Sequence, residues 1–224
     1  MIELSGVWFR YPRSIKWALR EVSVRFRPGE IVAITGPNGS GKTTLLKIAS
    51  LIYKPTKGEI LAWQSRFWGL RKNDKLNIRR RVVYVHEKPI ILRRTVLQNI
   101  AYGLLVRGIR YEEAMERASA MLKQLGLSHL ACRNAKELSA GEAHLVAIAR
   151  ALVLEPKIAF LDEPFSYLDR NNKQRLVNMI KELRDRGVGF VIATHDMSVV
   201  ERLAERLLVL ESGTIVEEHN LYRV

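Results

Sequence analysis

Gly36-Pro37-Asn38-Gly39-Ser40-Gly41-Lys42-Thr43-Thr44 is the stretch that decides the fold. It satisfies the pattern G-x-x-x-x-G-K-[ST], with Gly36, Gly41, Lys42 and Thr43 at the fixed places. Ahead of it, Ile31-Val32-Ala33-Ile34-Thr35 is a short apolar run rich in β-branched residues, which predicts a buried strand. Behind it, Lys42 to Ile52 predicts a helix with Leu45, Leu46, Ile48 and Ala49 facing a core. A strand, a glycine loop and a helix together make an anion site. The glycines let successive N–H groups curl towards phosphate oxygens, and the helix N-terminus adds partial positive charge. Lys42 is placed to reach the outer phosphates of a nucleotide and the Thr43 hydroxyl to hold Mg²⁺. Each charge-assisted hydrogen bond contributes roughly 1.5–3 kcal/mol.

Outward from this loop the chain reads as a globular α/β domain. It has 224 residues, 47% of them hydrophobic and 27% charged. No apolar run reaches the length of about 20 residues that a spanning helix needs, and Met1-Ile2-Glu3-Leu4 lacks a signal-peptide layout. The single cysteine, Cys132, excludes an internal disulfide and is expected to be an ordinary packing residue. The net charge of +14 favours anionic partners, and a membrane surface is the preferred reading. No alternation of basic and aromatic residues marks a nucleic-acid module.

Residues 2–9 predict an edge strand, and Val22, Val24 and Phe26 predict a half-exposed one. Glu59 to Trp63 and Val82 to Val85 are further strands, with an irregular basic stretch over 64–80 between them. From Thr95 the pattern turns helical. Thr95 is the expected N-cap of Val96 to Leu105, and Tyr111 to Leu125 closes at Gly126. A third helix follows Leu138-Ser139-Ala140-Gly141-Glu142 and ends before Pro156. Ile158 to Leu161 and Phe190 to Thr194 are buried strands flanking a helix from Asn171 to Arg186, and a hairpin turns at Ser212-Gly213. Strands alternating with helices predict a mostly parallel core sheet, beside an antiparallel β side-sheet and an inserted helical lobe. The expected division is a core of residues 1–88 and 156–224 with a lobe over 89–155.

Two strand ends carry the chemistry. Asp162 and Glu163 close one buried strand, where ligands of parallel sheets sit. Asp162 can accept from waters around Mg²⁺, and Glu163 can orient and deprotonate an attacking water. His195 ends the other strand, in reach of a terminal phosphate or that water.

With these motifs in this order, the chain resembles the ATP-binding subunit of an ABC transporter over nearly its full length. The resemblance implies an ATPase with ATP and Mg²⁺ at its site. It identifies the 138–142 segment with the family's LSGGQ signature, so that Ser139, Ala140, Gly141 and Glu142 face the ATP of another subunit. It makes Tyr11 the adenine-stacking aromatic, Asp169 the end of the dimer loop Ser166-Tyr167-Leu168-Asp169, and His195 the switch histidine. Glu87 takes the place of a metal-ligating glutamine, Ala140 that of a glycine and Glu142 that of a glutamine. These departures bear on turnover rate rather than on identity. The family pairs two subunits around two ATP molecules, which implies a homodimer peripheral to the cytoplasmic face of the membrane. Separate permease subunits would dock near Glu87 to Asn99. The segment 102–109 and the acidic end of the signature resemble oxyanion importers of the tungstate type. A non-transport ATPase of the same family, such as an iron–sulfur assembly component, or a regulatory ATP-binding subunit with little turnover are the competing readings.

Overall fold

The structure, a computed structural model, describes residues 1–221; the end of the expected core segment, 222–224, lies outside them. The strands are β1 (Ile2–Phe9), β2 (Leu19–Phe26), β3 (Ile31–Thr35), β4 (Lys57–Ala62), β5 (Ser65–Arg66), β6 (Val82–Val85), β7 (Ile158–Asp162), β8 (Gly189–Ala193), β9 (Arg206–Glu211) and β10 (Thr214–Asn220). The helices are α1 (Lys42–Ala49), α2 (Lys72–Arg79), α3 (Val96–Val106), α4 (Tyr111–Gln124), α5 (Ala140–Leu152), α6 (Arg170–Asp185) and α7 (Met197–Leu203).

The strands form two sheets. One is antiparallel, in the order β2-β1-β4-β5; the other runs β10-β9-β3-β8-β7-β6. In the second sheet β9, β3, β8, β7 and β6 are parallel and β10 turns back along the edge. β7 and β8 are buried along their whole length, as strands covered on both faces must be. Helix α1 lies between the sheets. Leu45, Leu46, Ile48 and Ala49 join one apolar cluster with Ile2, Phe26, Ile34 and Phe160. On the opposite face, α3, α4, α5 and α6 share a second continuous cluster with Val85, Leu161 and Ile192. The helical lobe is therefore fused to the sheet through apolar packing.

Three expectations are corrected. β1 is an interior strand, paired with β2 on one side and β4 on the other, instead of an edge. The half-buried alternation of an antiparallel strand is the same in both places, so the pattern carried no edge signal. The 64–80 stretch is ordered, with β5, a 3₁₀ turn over Phe67–Gly69 and α2. Helix α2 buries only Ile78 and has no apolar stripe to read. The Arg79 guanidinium lies 5.4 Å over the Phe67 ring and 5.8 Å over Trp68, which anchors it instead. The third concerns Cys132, which is exposed and packs into no core. Helix α7, after His195, had no expectation attached and is two short turns with Val199, Val200 and Leu203 buried.

Gly36 shows why the loop needs glycine where it leaves β3. Its φ is 142°, and an added Cβ would lie 2.0 Å from the Leu210 carbonyl oxygen on the neighbouring β9. Gly36→Ala is expected to lower unfolding stability by more than about 1 kcal/mol, read from urea denaturation midpoints. An unchanged midpoint would show that β9 yields at no cost.

Candidate functional site

A cleft of about 520 Å³ opens where β3, β7 and β8 end. Residues Asn38 to Thr44 form one wall; Glu87, Asp162, Glu163 and His195 form the other; Tyr11 closes one end. The sheet order accounts for the gathering. β8 pairs with β3 in parallel on one side and with β7 on the other, so three C-terminal ends emerge side by side.

The loop wall is built from backbone. Gly41 precedes α1 with φ 108°, a left-handed conformation, and a Cβ there would meet the Ala18 carbonyl oxygen at 2.6 Å. Lys42 Nζ donates to the carbonyl oxygens of Gly36 (2.7 Å) and Pro37 (3.1 Å), so Gly36 and Pro37 serve the lysine from behind the cleft wall. The lysine is thus held against its own loop, ready to exchange neutral acceptors for charged ones. The Ser40 hydroxyl is buried with no hydrogen-bond partner among the described residues. A curled backbone, a parked ammonium and an unspent buried hydroxyl form a cradle suited to phosphate. Tyr11 leans over this wall, its hydroxyl 2.9 Å from Thr44 Oγ1, with its ring partly exposed.

The opposite wall carries the acids. Asp162 is buried and accepts from the Tyr84 hydroxyl at 3.0 Å. Burial, and then the adjacent carboxylate, push the Tyr84 phenol far above its ordinary value, so it stays a donor. Tyr84 was missed in the sequence. A lone tyrosine in Val82-Val83-Tyr84-Val85 is the signal, because a half-buried phenol needs a partner. Glu163 has φ 47°, a left-handed conformation that glutamate rarely takes. Its N–H donates to the Ala193 carbonyl at 2.9 Å, which pins the bend. Its Oε2 lies 3.0 Å from His195 Nδ1 and accepts from Ser166 Oγ at 3.3 Å. The next residue, Asp196, is held from α6 and α7. The Asp196 carboxylate accepts from Lys173 Nζ at 2.7 Å and from Ser198 Oγ at 2.6 Å, and these bonds hold it down at about 2.

Among the described residues no three His, Cys, Asp or Glu side chains converge as a metal cluster. The oxygens of Thr43, Asp162 and Glu87 border one cleft with the phosphate cradle. Such a sparse, hard-oxygen set fits Mg²⁺, which keeps waters and shares substrate phosphates as ligands.

The signature residues lie elsewhere. None of Ser139, Ala140, Gly141 and Glu142 lines the cleft; they form the start of α5, with Ser139 and Ala140 exposed and Gly141 and Glu142 half-buried. Ala140 is the first helical residue and takes no positive φ, so the missing glycine costs no strain. Gly141 is required: a Cβ there would meet the Tyr167 carbonyl oxygen at 2.6 Å. Ser139 caps α5 in a reciprocal capping box. Its Oγ accepts from Glu142 N, while its own N–H and hydroxyl both donate to Glu142 Oε2 at 2.8 Å. These bonds hold the Glu142 carboxyl below its ordinary value. Asp169 likewise caps α6, accepting from Asn172 N at 2.8 Å, outside the cleft.

A family model described as ABC transporter matches residues 19–166. The chain is 33% identical to the cell division ATP-binding protein FtsE of Bacillus subtilis, over 98% of this chain and 96% of that one. It is 37% identical to the phosphate import ATP-binding protein PstB 2 of Natronomonas pharaonis, over 92% of this chain and 76% of that one. Among solved structures, the dimeric ATP-binding cassette MJ0796 bound to ADP and Pi superposes with a TM-score of 0.91 at 31% identity, each chain fully covered.

The capping box sets a pH dependence. Because the folded Glu142 carboxyl titrates below its ordinary value of 4.5, its contribution is complete above that value and is lost as pH falls below it. The stability advantage of the wild type over Glu142→Gln is therefore expected to shrink on acidification from about pH 5, followed by urea titration. An advantage that grows on acidification would contradict the cap.

Proposed function

Because the chain belongs to the ABC transporter family of ATP-binding subunits, we propose that its cleft binds and hydrolyses ATP between two copies to drive solute transport through separate permease subunits. The observation that carries this is the split site. The phosphate cradle and the acidic wall share a cleft, whereas Ser139 to Glu142 lie outside it at the start of α5. A second copy supplies what each lacks; that a dimeric cassette bound to ADP and Pi superposes on this chain supports this pairing.

The roles follow from the geometry. Tyr11 stacks the adenine. Asn38 to Thr44 cradle the phosphates, and Lys42 leaves the carbonyls of Gly36 and Pro37 for phosphate oxygens. Thr43, Asp162 and Glu87 would hold Mg²⁺, whose charge offsets that of the phosphates. Glu163 orients a water and accepts its proton as the water oxygen bonds to the terminal phosphorus and the bond to ADP breaks. His195, 3.0 Å from Glu163, positions that carboxylate and faces the departing phosphate. Ser139 and Gly141 of one copy close on the terminal phosphate held by the other, and Asp169 lies along the same seam. This closure requires the Ser139 hydroxyl to leave Glu142.

Of the described residues, the core comprises 1–88 and 156–221 and the lobe 89–155. Between them runs a groove of about 450 Å³, lined by Pro89, Ile90, Tyr102, Gly103, Ala151 and Leu154. Its apolar walls suit a short helix of the permease, docked just beyond Glu87. Among the described residues no helix is long and apolar enough to cross a membrane. The subunit sits at the cytoplasmic face through that groove. The transport is import of an oxyanion such as tungstate; the phosphate import relative supports this class of solute.

Glu163→Gln is expected to keep ATP affinity and lose about 10²–10⁴-fold in turnover, as for removal of a general base. Lys42→Ala is expected to weaken ATP binding itself, measured by equilibrium fluorescence with a labelled nucleotide. Near-normal turnover in the first variant, or unchanged affinity in the second, would remove that residue from its role.

A further inference from the structure

A second polar cleft, of about 470 Å³, lies on the helical lobe away from the phosphate loop. It is lined by Arg93, Arg94, Thr95, Gln98, Asn134 and Lys136, with Cys132 at its rim. No acid borders it. Three cations gathered without a counter-ion repel one another, and an anion relieves that repulsion.

The neutral groups present the same polarity. Gln98 Oε1 accepts from Thr95 N at 3.2 Å, and Asn134 Oδ1 accepts from Lys136 N at 3.1 Å. Both amides therefore have their oxygens committed to backbone and their NH₂ groups left as donors. Thr95 Oγ1 accepts from Gln98 N, leaving its hydroxyl proton to give. Neither Arg93 nor Lys136 has a side-chain partner among the described residues. The nearest acid in sequence, Glu137, is turned to Arg133 at 3.8 Å. The first N–H groups of α3 are spent on Arg133, Ala131 and Thr95, so the cleft's polarity comes from side chains and not from the helix end.

The walls are rigid. Thr95 and Asn134 form an isolated antiparallel bridge. Buried Asn99 clamps the loop before α3, accepting from Leu92 N at 2.9 Å and donating to the carbonyls of Leu92 and Thr95. The backbone that carries these donors is thus fixed before any ligand arrives.

We propose that this cleft binds a phosphorylated anion, a phosphate group with several free oxygens, held by Arg93 and Lys136 with the amides of Gln98 and Asn134. The Arg94 guanidinium, 5.6 Å over the Tyr102 ring, joins the cleft to the apolar groove that Tyr102 also lines. The same chemistry is offered by free phosphate and by the headgroup of an anionic phospholipid. The site does not depend on the ATPase reading.

Cys132 is the chain's single cysteine and reports on this cleft alone. The experiment measures its alkylation by iodoacetamide in the full chain. The probes are millimolar inorganic phosphate, phosphatidylcholine vesicles containing phosphatidic acid, and sodium chloride at matched ionic strength. Phosphate, the acidic vesicles or both should slow alkylation by about fivefold or more, as expected of a ligand held by charge-assisted bonds. Arg93→Ala/Lys136→Ala should remove the protection while retaining ATP affinity. Protection by free phosphate alone assigns a soluble ligand, and protection by vesicles alone assigns a lipid. No protection by either probe, equal protection by sodium chloride, or full protection in the double variant would overturn the site.

Discussion

The parallel ladder of β3, β8 and β7 is the constraint on which the rest depends. Hydrogen bonding in register sets Ile34 beside Ala193 and Ala193 beside Asp162. The three strands therefore end at one level, and each end carries a different chemical group. β3 runs into the phosphate loop, β7 into Asp162 and Glu163, and β8 into His195. Both faces of these strands are covered by apolar packing, which fixes the ladder against slippage. Local strain is tolerated at the rim because of this rigidity. Gly36 at φ 142° and Glu163 at φ 47° are held by neighbours that cannot move away.

In the proposed sandwich the ladder completes half a site. The signature helix α5 belongs to the lobe, and its first turn faces outward, away from the loop whose phosphates it would complement. Its capping box keeps it formed while it waits. Glutamate at 142 does the work that glutamine does in the box, with a charge-assisted bond that is stronger. The added strength has a consequence: the Ser139 hydroxyl is more firmly held by its own chain. In the proposed sandwich, association of two copies would exchange that bond for one to phosphate, a charged acceptor for another of higher charge.

Legibility in the sequence followed the range of the interactions. The phosphate loop, Asp162, Glu163, His195, the Thr95 cap and the hairpin at Gly213 all rest on local spacing or on strand ends, and the structure places them accordingly. β1 could not be recognised as interior, because pairing on its second side comes from β4, some fifty residues away. Helix α2 was unreadable because its anchor is an arginine on two aromatic rings and not an apolar stripe. Cys132 was misjudged from its residue type, which is usually buried, while its position on an exposed loop depends on how α4 and α5 are joined. The all-donor cleft has no motif at all, since its groups meet across the bridge between Thr95 and Asn134.

The most direct test is the solution mass of Glu163→Gln by light scattering, with and without Mg·ATP. Two half-sites that complete each other predict monomer alone and dimer with nucleotide, reversed when the nucleotide is removed. A chain that stays monomeric with ATP demonstrably bound would contradict a site made by two copies of this chain.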